Sequence, residues 1–242
     1  NEGAGEPNMA NKLLAPTAEH LFGTDHMGRD IVARVLYGAR TSLMLAALVI
    51  AGSVTTGAAL GLIAGYAGGW TDEVAMRITD VFLAFPPLLL AILLVTVLGG
   101  GFTSVVLALA VAWWPAYALL IRGEVVALRQ RPFVEAARAT GVPPLGILRR
   151  HLLPNALTPL LVQATVDFGA VVLVAAGLSF IGLGPEPPTA DWGIMVNEGR
   201  SLVLGGQWWV AAYPGSAIML TAVAFALLGD AILSARAGGS AQ

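Results

Sequence analysis

The chain has 242 residues, of which 57% are apolar or aromatic (AVILMFWYC), with 29 Gly besides. Charged residues make up 12% and the formal net charge is −2, whereas soluble domains carry about 25% charged residues. That composition excludes a water-soluble globular enzyme, a disordered tail and a nucleic-acid-binding domain with a basic face. Cys is absent, so disulfides and thiolate metal sites are excluded, and Lys12 is the only Lys. No metal site is expected.

In chain order, residues 1–40 are mixed in charge and read as a segment outside the bilayer. A helix needs about 20 apolar residues to cross the hydrocarbon core. Charge-free intervals predict five spans, at roughly 41–66, 81–99, 103–121, 156–182 and 208–229. Continuous apolar runs exclude a transmembrane β-barrel, whose strands alternate. In span one, Ser53, Gly57, Gly61 and Gly65 recur every four residues. Small residues at that spacing line one stripe and predict a close helix–helix seam.

Span two opens on Phe85-Pro86-Pro87. Two missing backbone donors predict an early break, which suits a hinge, a cavity lining or an interfacial kink. The break between spans two and three falls at Gly99-Gly100-Gly101. Span three carries Trp113, Trp114, Pro115 and Tyr117 near its middle, where aromatic groups line a pathway or pack the bundle. Between spans three and four, Pro132 to Gly141 reads as a short helix with Pro at its first position and Gly just past its end. Leu145, Leu148 and Leu152 then share a face of a second short helix, ended by Leu153-Pro154. Such a pair of helices is a docking element or an interfacial one. In span four, Asp167 is the only charge well inside a span, with Gln163 one turn earlier on the same face. An intramembrane carboxylate faces protein or a wet cavity. The pair is therefore a polar patch on a permeation route or a hydrogen-bonded contact between helices.

Orientation follows the positive-inside rule. The loop between spans three and four holds six Arg residues, from Arg122 to Arg150, and is placed in the cytoplasm. Alternation then puts residues 1–40 and the 183–207 loop outside. A Gly-Lys-Ser/Thr phosphate loop, a His-Glu-x-x-His motif and a Gly-x-Ser-x-Gly elbow are all missing from the sequence.

Glu135-Ala136-Ala137, three residues, then Gly141, followed by Arg150-His151-Leu152-Leu153-Pro154-Asn155, resembles the EAA loop of importer-type ABC permeases. Its variant is that of the dipeptide, oligopeptide and nickel branch. The stretch from Gly23-Thr24-Asp25-His26-Met27-Gly28-Arg29-Asp30 to Tyr37-Gly38-Ala39-Arg40-Thr41-Ser42-Leu43 resembles the segment before that branch's second helix. Leu178-Ser179-Phe180-Ile181-Gly182-Leu183-Gly184 with Pro187-Pro188-Thr189 and Trp192-Gly193 resembles the end of the fifth, and Leu227-Leu228-Gly229-Asp230 the end of the sixth. Ala175 stands where the branch often has Glu, and His151 where the general pattern commonly has Ile.

The resemblance implies an all-α polytopic helical bundle, a type I ABC importer transmembrane domain whose first of six helices precedes residue 1. A native five-span chain is the alternative. It implies an extracytoplasmic segment at 1–40, a permease domain at 41–236 with a cytoplasmic coupling loop at 123–155, and a tail at 237–242. Glu135, Ala136, Ala137, Gly141, Leu145, Leu148, Leu153 and Pro154 would form the ATPase-coupling surface. Gln163, Asp167, Trp114 and Tyr117 would line the solute route. The implied partners are a second homologous permease, two ATP-binding subunits that hold ATP and Mg, an extracytoplasmic substrate-binding protein and the lipid of a prokaryotic inner membrane. Nothing catalytic and no cofactor is expected on this chain. Di- or oligopeptides are the expected solute, with nickel or another small solute as the alternative. A self-contained ion-coupled carrier and a membrane anchor for a peripheral complex are the competing classes.

Overall fold

The computed structural model describes residues 7–186 and 188–239, with side chains through Ser234. Pro187 and positions 240–242 of the expected tail lie outside the described residues. The elements are α1 (Ile31–Ala67), α2 (Gly69–Leu83), α3 (Pro87–Leu98), α4 (Gly101–Arg129), α5 (Pro132–Ala139), α6 (Pro144–Ile147), α7 (Leu153–Phe180), α8 (Trp192–Arg200) and α9 (Trp209–Gly239). Among the described residues, four stretches are long and apolar enough to cross a membrane: α1, α4, Pro144–Phe180 and Trp209–Ser234 of α9. The pair α2 and α3, bent by 85°, makes a fifth as a broken span.

The stripe of small residues on α1 builds the central seam. Ser53 Oγ donates to the Ala110 carbonyl at 3.2 Å. A Cβ on Gly57 would meet the Trp114 carbonyl at 2.5 Å, one on Gly61 the Ala118 carbonyl at 2.5 Å, and one on Gly65 the Arg122 carbonyl at 3.0 Å. Each step of four residues on α1 is therefore matched by four on α4, so the two helices run parallel with backbones in contact. In lipid this dispersion-driven packing replaces the hydrophobic effect as the source of association. Around the seam, Leu45, Val49, Val105 and Leu109 are fully buried at one level, and Tyr117, Ile121 and Val125 at another.

The helix breaks follow backbone chemistry. Gly99, Gly100 and Gly101 all have positive φ, a region that costs glycine little, and they turn α3 back into α4. Pro115, Pro159 and Pro214 lie inside α4, α7 and α9. Thr55, Thr96 and Thr165 return their hydroxyls to the carbonyl four residues earlier, so these three hydroxyls are satisfied within their own helices.

Three boundaries differ from the sequence-based expectation. The helix that holds the first span starts at Ile31, ahead of the charge-free interval. Asp30 caps it by accepting from the Ala33 N–H, and Arg34 enters the helix because its charge is paired (below). Span two is split, with α2 already helical from Gly69. The second loop helix does not end at Leu153-Pro154: α6 runs through a π-helical turn at Leu148–Leu152 straight into α7. Pro154 falls where the π-helical turn hands over to α7, a change of hydrogen-bond register that accommodates its missing N–H. The loop at 183–207 carries a helix, α8, that hydrophobic periodicity does not reveal. Its signal is Asp191, whose carboxylate accepts from the N–H groups of Gly193 and Ile194 as an N-cap.

Candidate functional site

The molecule has two chemically distinct ends and a sparse polar patch between them. At one end sits the 123–155 loop. In α5, Val134 and Ala137 point into the bundle while Glu135 and Ala136 are exposed. Gly141 ends the helix with φ 81° and nothing within 4 Å of a Cβ. Its requirement is the left-handed backbone, not space. Leu145 is 64% exposed, whereas Ile147 and Leu152 are buried in the cluster with Tyr117, Ile121 and Val134. The expected shared face of Leu145, Leu148 and Leu152 therefore divides, because the π-helical turn adds a residue to the period and rotates Leu152 inward. Leu145, Leu148 and Leu153 face Ala59, Leu62 and Ile63 of α1 across an apolar gap of about 180 Å³. Pro154 is exposed.

Three arginines fasten this end. Arg122 makes a paired contact with Asp72 of α2 through Nε at 3.0 Å and Nη2 at 2.7 Å. Arg129 Nη1 donates to the Gly65 and Tyr66 carbonyls at 3.3 and 3.1 Å, where α1 runs out of helical donors. Arg138 of α5 lies over the Tyr66 ring, 5.4 Å from its centroid. Thus the exposed Glu135 face rides on a short helix tied to the ends of α1 and α4. Sequence reading singled out residues of this loop but had no signal for Tyr66, whose partner is 72 positions away.

In the middle of the bundle, Gln163 Nε2 donates to Asp167 Oδ1 at 3.0 Å. Both side chains are half-buried. The Tyr117 hydroxyl faces the Asp167 carboxylate but falls outside hydrogen-bond geometry and is itself buried without a partner. Trp114 is 7% and Tyr117 0% exposed, and both pack where Gly57 admits α4. The Tyr117 ring packs in the buried cluster beside α1, whereas the Trp114 ring lies edge-on to Phe82 of α2. Gln163 and Asp167 stand at the edge of the α1–α4 seam.

At the opposite end, residues 7–30 form a strap. Asp25 accepts from the N–H groups of Met27 and Arg29 at 2.7 and 3.0 Å, from Arg29 Nε at 2.7 Å and from Arg34 Nη1 at 2.7 Å. Arg34 also reaches Glu198 of α8 at 2.5 Å. Burial opposes the charge on Asp25, but the Arg29 amide and the Arg34 guanidinium hold its carboxyl below the usual value. Ser42 donates to Asp191 at 2.8 Å, the Trp192 indole N–H to the Val35 carbonyl at 2.9 Å, and the Trp209 indole N–H to the Thr24 carbonyl at 3.3 Å. Asp25, His26 and Glu198 place potential ligand atoms within 4.8 Å of one another. Both carboxylates already neutralise arginines, so the group is built as an ion-pair network and lacks the free charge a cation needs.

A profile of binding-protein-dependent transport system inner membrane components matches residues 57–237. The chain belongs to that family and is a multi-pass membrane component of a transport system. It is 43% identical over 230 residues to the dipeptide transport system permease protein of Alkalihalophilus pseudofirmus, covering 95% of this chain and 75% of that protein. It is 43% identical over 240 residues to a probable D,D-dipeptide transport system permease protein of Escherichia coli K12, covering 97% and 80%. A glutathione transport system permease protein of Pectobacterium atrosepticum is 43% identical over 221 residues, covering 91% and 73%. In fold, the chain resembles the inward-facing MetNI methionine ABC transporter, with a TM-score of 0.65 at 20% identity, covering 84% of this chain and 95% of that one.

Proposed function

We propose that this chain is the permease subunit of an ATP-driven, binding-protein-dependent importer of di- or oligopeptides. The observation that carries the reading is the exposed Glu135-Ala136 face of α5, held by Arg138, Tyr66 and Arg129 to the ends of the paired helices α1 and α4. A surface docked by an ATPase at that point moves two spans together. The dipeptide and glutathione permeases to which the chain is 43% identical support the solute class. ATP and Mg belong to two partner ATPase subunits, because this sequence has no phosphate-binding loop. A second, homologous permease completes the route, and a binding protein delivers solute at the strap end. Gln163 and Asp167 are proposed to meet the solute where the two permeases face each other, the carboxylate offsetting a peptide ammonium.

The mechanism is alternating access. Closure of the ATPase pair pushes the coupling helices together, the bundles rock, and the route opens toward the binding protein; hydrolysis resets it. The test is uptake by the reconstituted permease pair, ATPases and binding protein, with Glu135→Arg as the variant. ATP-dependent dipeptide uptake, lost in Glu135→Arg together with ATPase co-purification, supports the reading. Uptake by this chain alone on an ion gradient would overturn it, and uptake of nickel in place of dipeptide would reassign the solute.

A further inference from the structure

Span two is broken where lipid least tolerates it. Along α2, Asp72 meets Arg122 and Phe82 meets Trp114 edge-on at 5.3 Å, so α2 climbs beside α4 from the Arg122 level to the Trp114 level. That climb is about 12 Å of helix, which carries the chain from a charged end deep into the apolar interval. There the helix stops. Pro86 and Pro87 have no N–H, so the Leu83 carbonyl loses its usual donor. The Phe82 carbonyl takes the Phe85 N–H at 3.2 Å in a tightened turn. α3 then starts with no side-chain cap, which leaves its first amides without helical partners.

Positions 83–89 are all exposed, with Leu83 at 45%, Phe85 at 53% and Leu89 at 61%. In hydrocarbon, irregular backbone persists only where protein covers it or where it lines a water-filled space. The described residues of this chain do not cover the break. We infer that the break at Ala84–Pro87 faces a water-filled passage through the assembled transporter, with the Phe85 ring standing in it. Resting on the permease reading above, this places the break on the solute route. The passage admits water to the open carbonyls and amides, while the ring and the prolines give an otherwise apolar surface. A peptide of varied side chains can pass such a wall, because its backbone groups find water and its apolar groups meet no fixed charge.

The absence of Cys from the chain makes the test direct. Ala84→Cys, Phe85→Cys and, on the exposed face of α9, Leu220→Cys are each placed in the assembled complex in sealed vesicles. A charged, membrane-impermeant thiol reagent is applied, and adducts are read on this chain by mass. The expected result is modification of positions 84 and 85 at least about tenfold faster than position 220, which lipid shields, with loss of uptake on modifying position 85. Ala84→Cys keeps a small side chain and so stands if Phe85→Cys fails to assemble. Labelling of 84 and 85 only by a lipid-soluble maleimide would overturn the inference, as would no labelling by either reagent, which means a partner subunit seals the break. If the unmodified complex takes up no peptide while both positions label, the solute assignment falls and the water-facing break stands.

Discussion

A Cβ on Gly61 would lie 2.5 Å from the Ala118 carbonyl and 2.9 Å from the Arg122 nitrogen, both backbone atoms that cannot swing aside. Gly61→Ala must therefore push α1 off α4, at an expected cost of about 1–3 kcal/mol, typical of overpacking. Gly177 in α7 has open space around it, and Gly177→Ala should be neutral or stabilising by up to about 1 kcal/mol through helix propensity. Thermal unfolding in detergent separates the two; equal melting points would mean that the seam is not close-packed. Asp25 makes a second residue-scale prediction. Its carboxyl is lowered in the folded chain, so the stability it contributes is complete above the unfolded value of about 3.9 and is lost as pH falls through the lowered one. Asp25→Asn should melt lower than the parent at neutral pH and lose this part of the acid dependence. A parent and variant with the same pH profile would remove Asp25 from the account.

Among the elements, α5 depends on how it ends. Gly141 donates to the Arg138 carbonyl at 3.0 Å and turns the chain at positive φ, which sets the angle between α5 and α6. A β-branched residue is strained in that region whatever the space around it. Gly141→Val should leave the chain inserted but detach ATP hydrolysis from uptake, lowering solute moved per ATP about 5- to 150-fold if the lost conformation is worth about 1–3 kcal/mol. Normal coupling in this variant would rule out a rigid lever. The continuity of α6 with α7 matters here as well. A second loop helix that flows into a span carries displacement directly into the segment that holds Asp167, with no slack turn at Pro154.

For the whole molecule, the ties divide by end. Arg122, Arg129 and Arg138 fasten α1, α2, α4 and α5 at the loop end, while the strap joins α1, α8 and α9 at the other. α1 appears in both sets and is thus the one of these helices tied at both ends. Moving a two-state equilibrium from 1:99 to 99:1 takes about 5.5 kcal/mol, so the proposed mechanism requires nucleotide binding to deliver a few kcal/mol through each α5. Spin labels on α4 of this permease and its partner should change separation when a non-hydrolysable ATP analogue is added to the complex. An unchanged distance distribution would exclude bundle rocking.

Membrane residence, the spans' approximate places, the small-residue stripe, the short loop helix with its terminal glycine and the Gln163–Asp167 pair were all legible in the sequence. Each rests on a local rule: apolar length, a four-residue period, proline and glycine chemistry, or spacing along one helix. The family resemblance was legible for the same reason, in contiguous blocks. Other features depended on the tertiary structure. Arg34 lies buried in the first turn of α1 because Asp25 and Glu198 neutralise it, and a charge-free interval cannot anticipate a partner 164 positions away. The burial of Trp114 and Tyr117 within this chain likewise required the fold, because which side of α4 meets Gly57 is a property of the helix pair. The depth and exposure of the break at Pro86 also needed the fold, since two prolines predict an interruption but not what surrounds it. Pairings between distant segments carry no local period, so the burial and charge balance they create became visible only once the helices were packed.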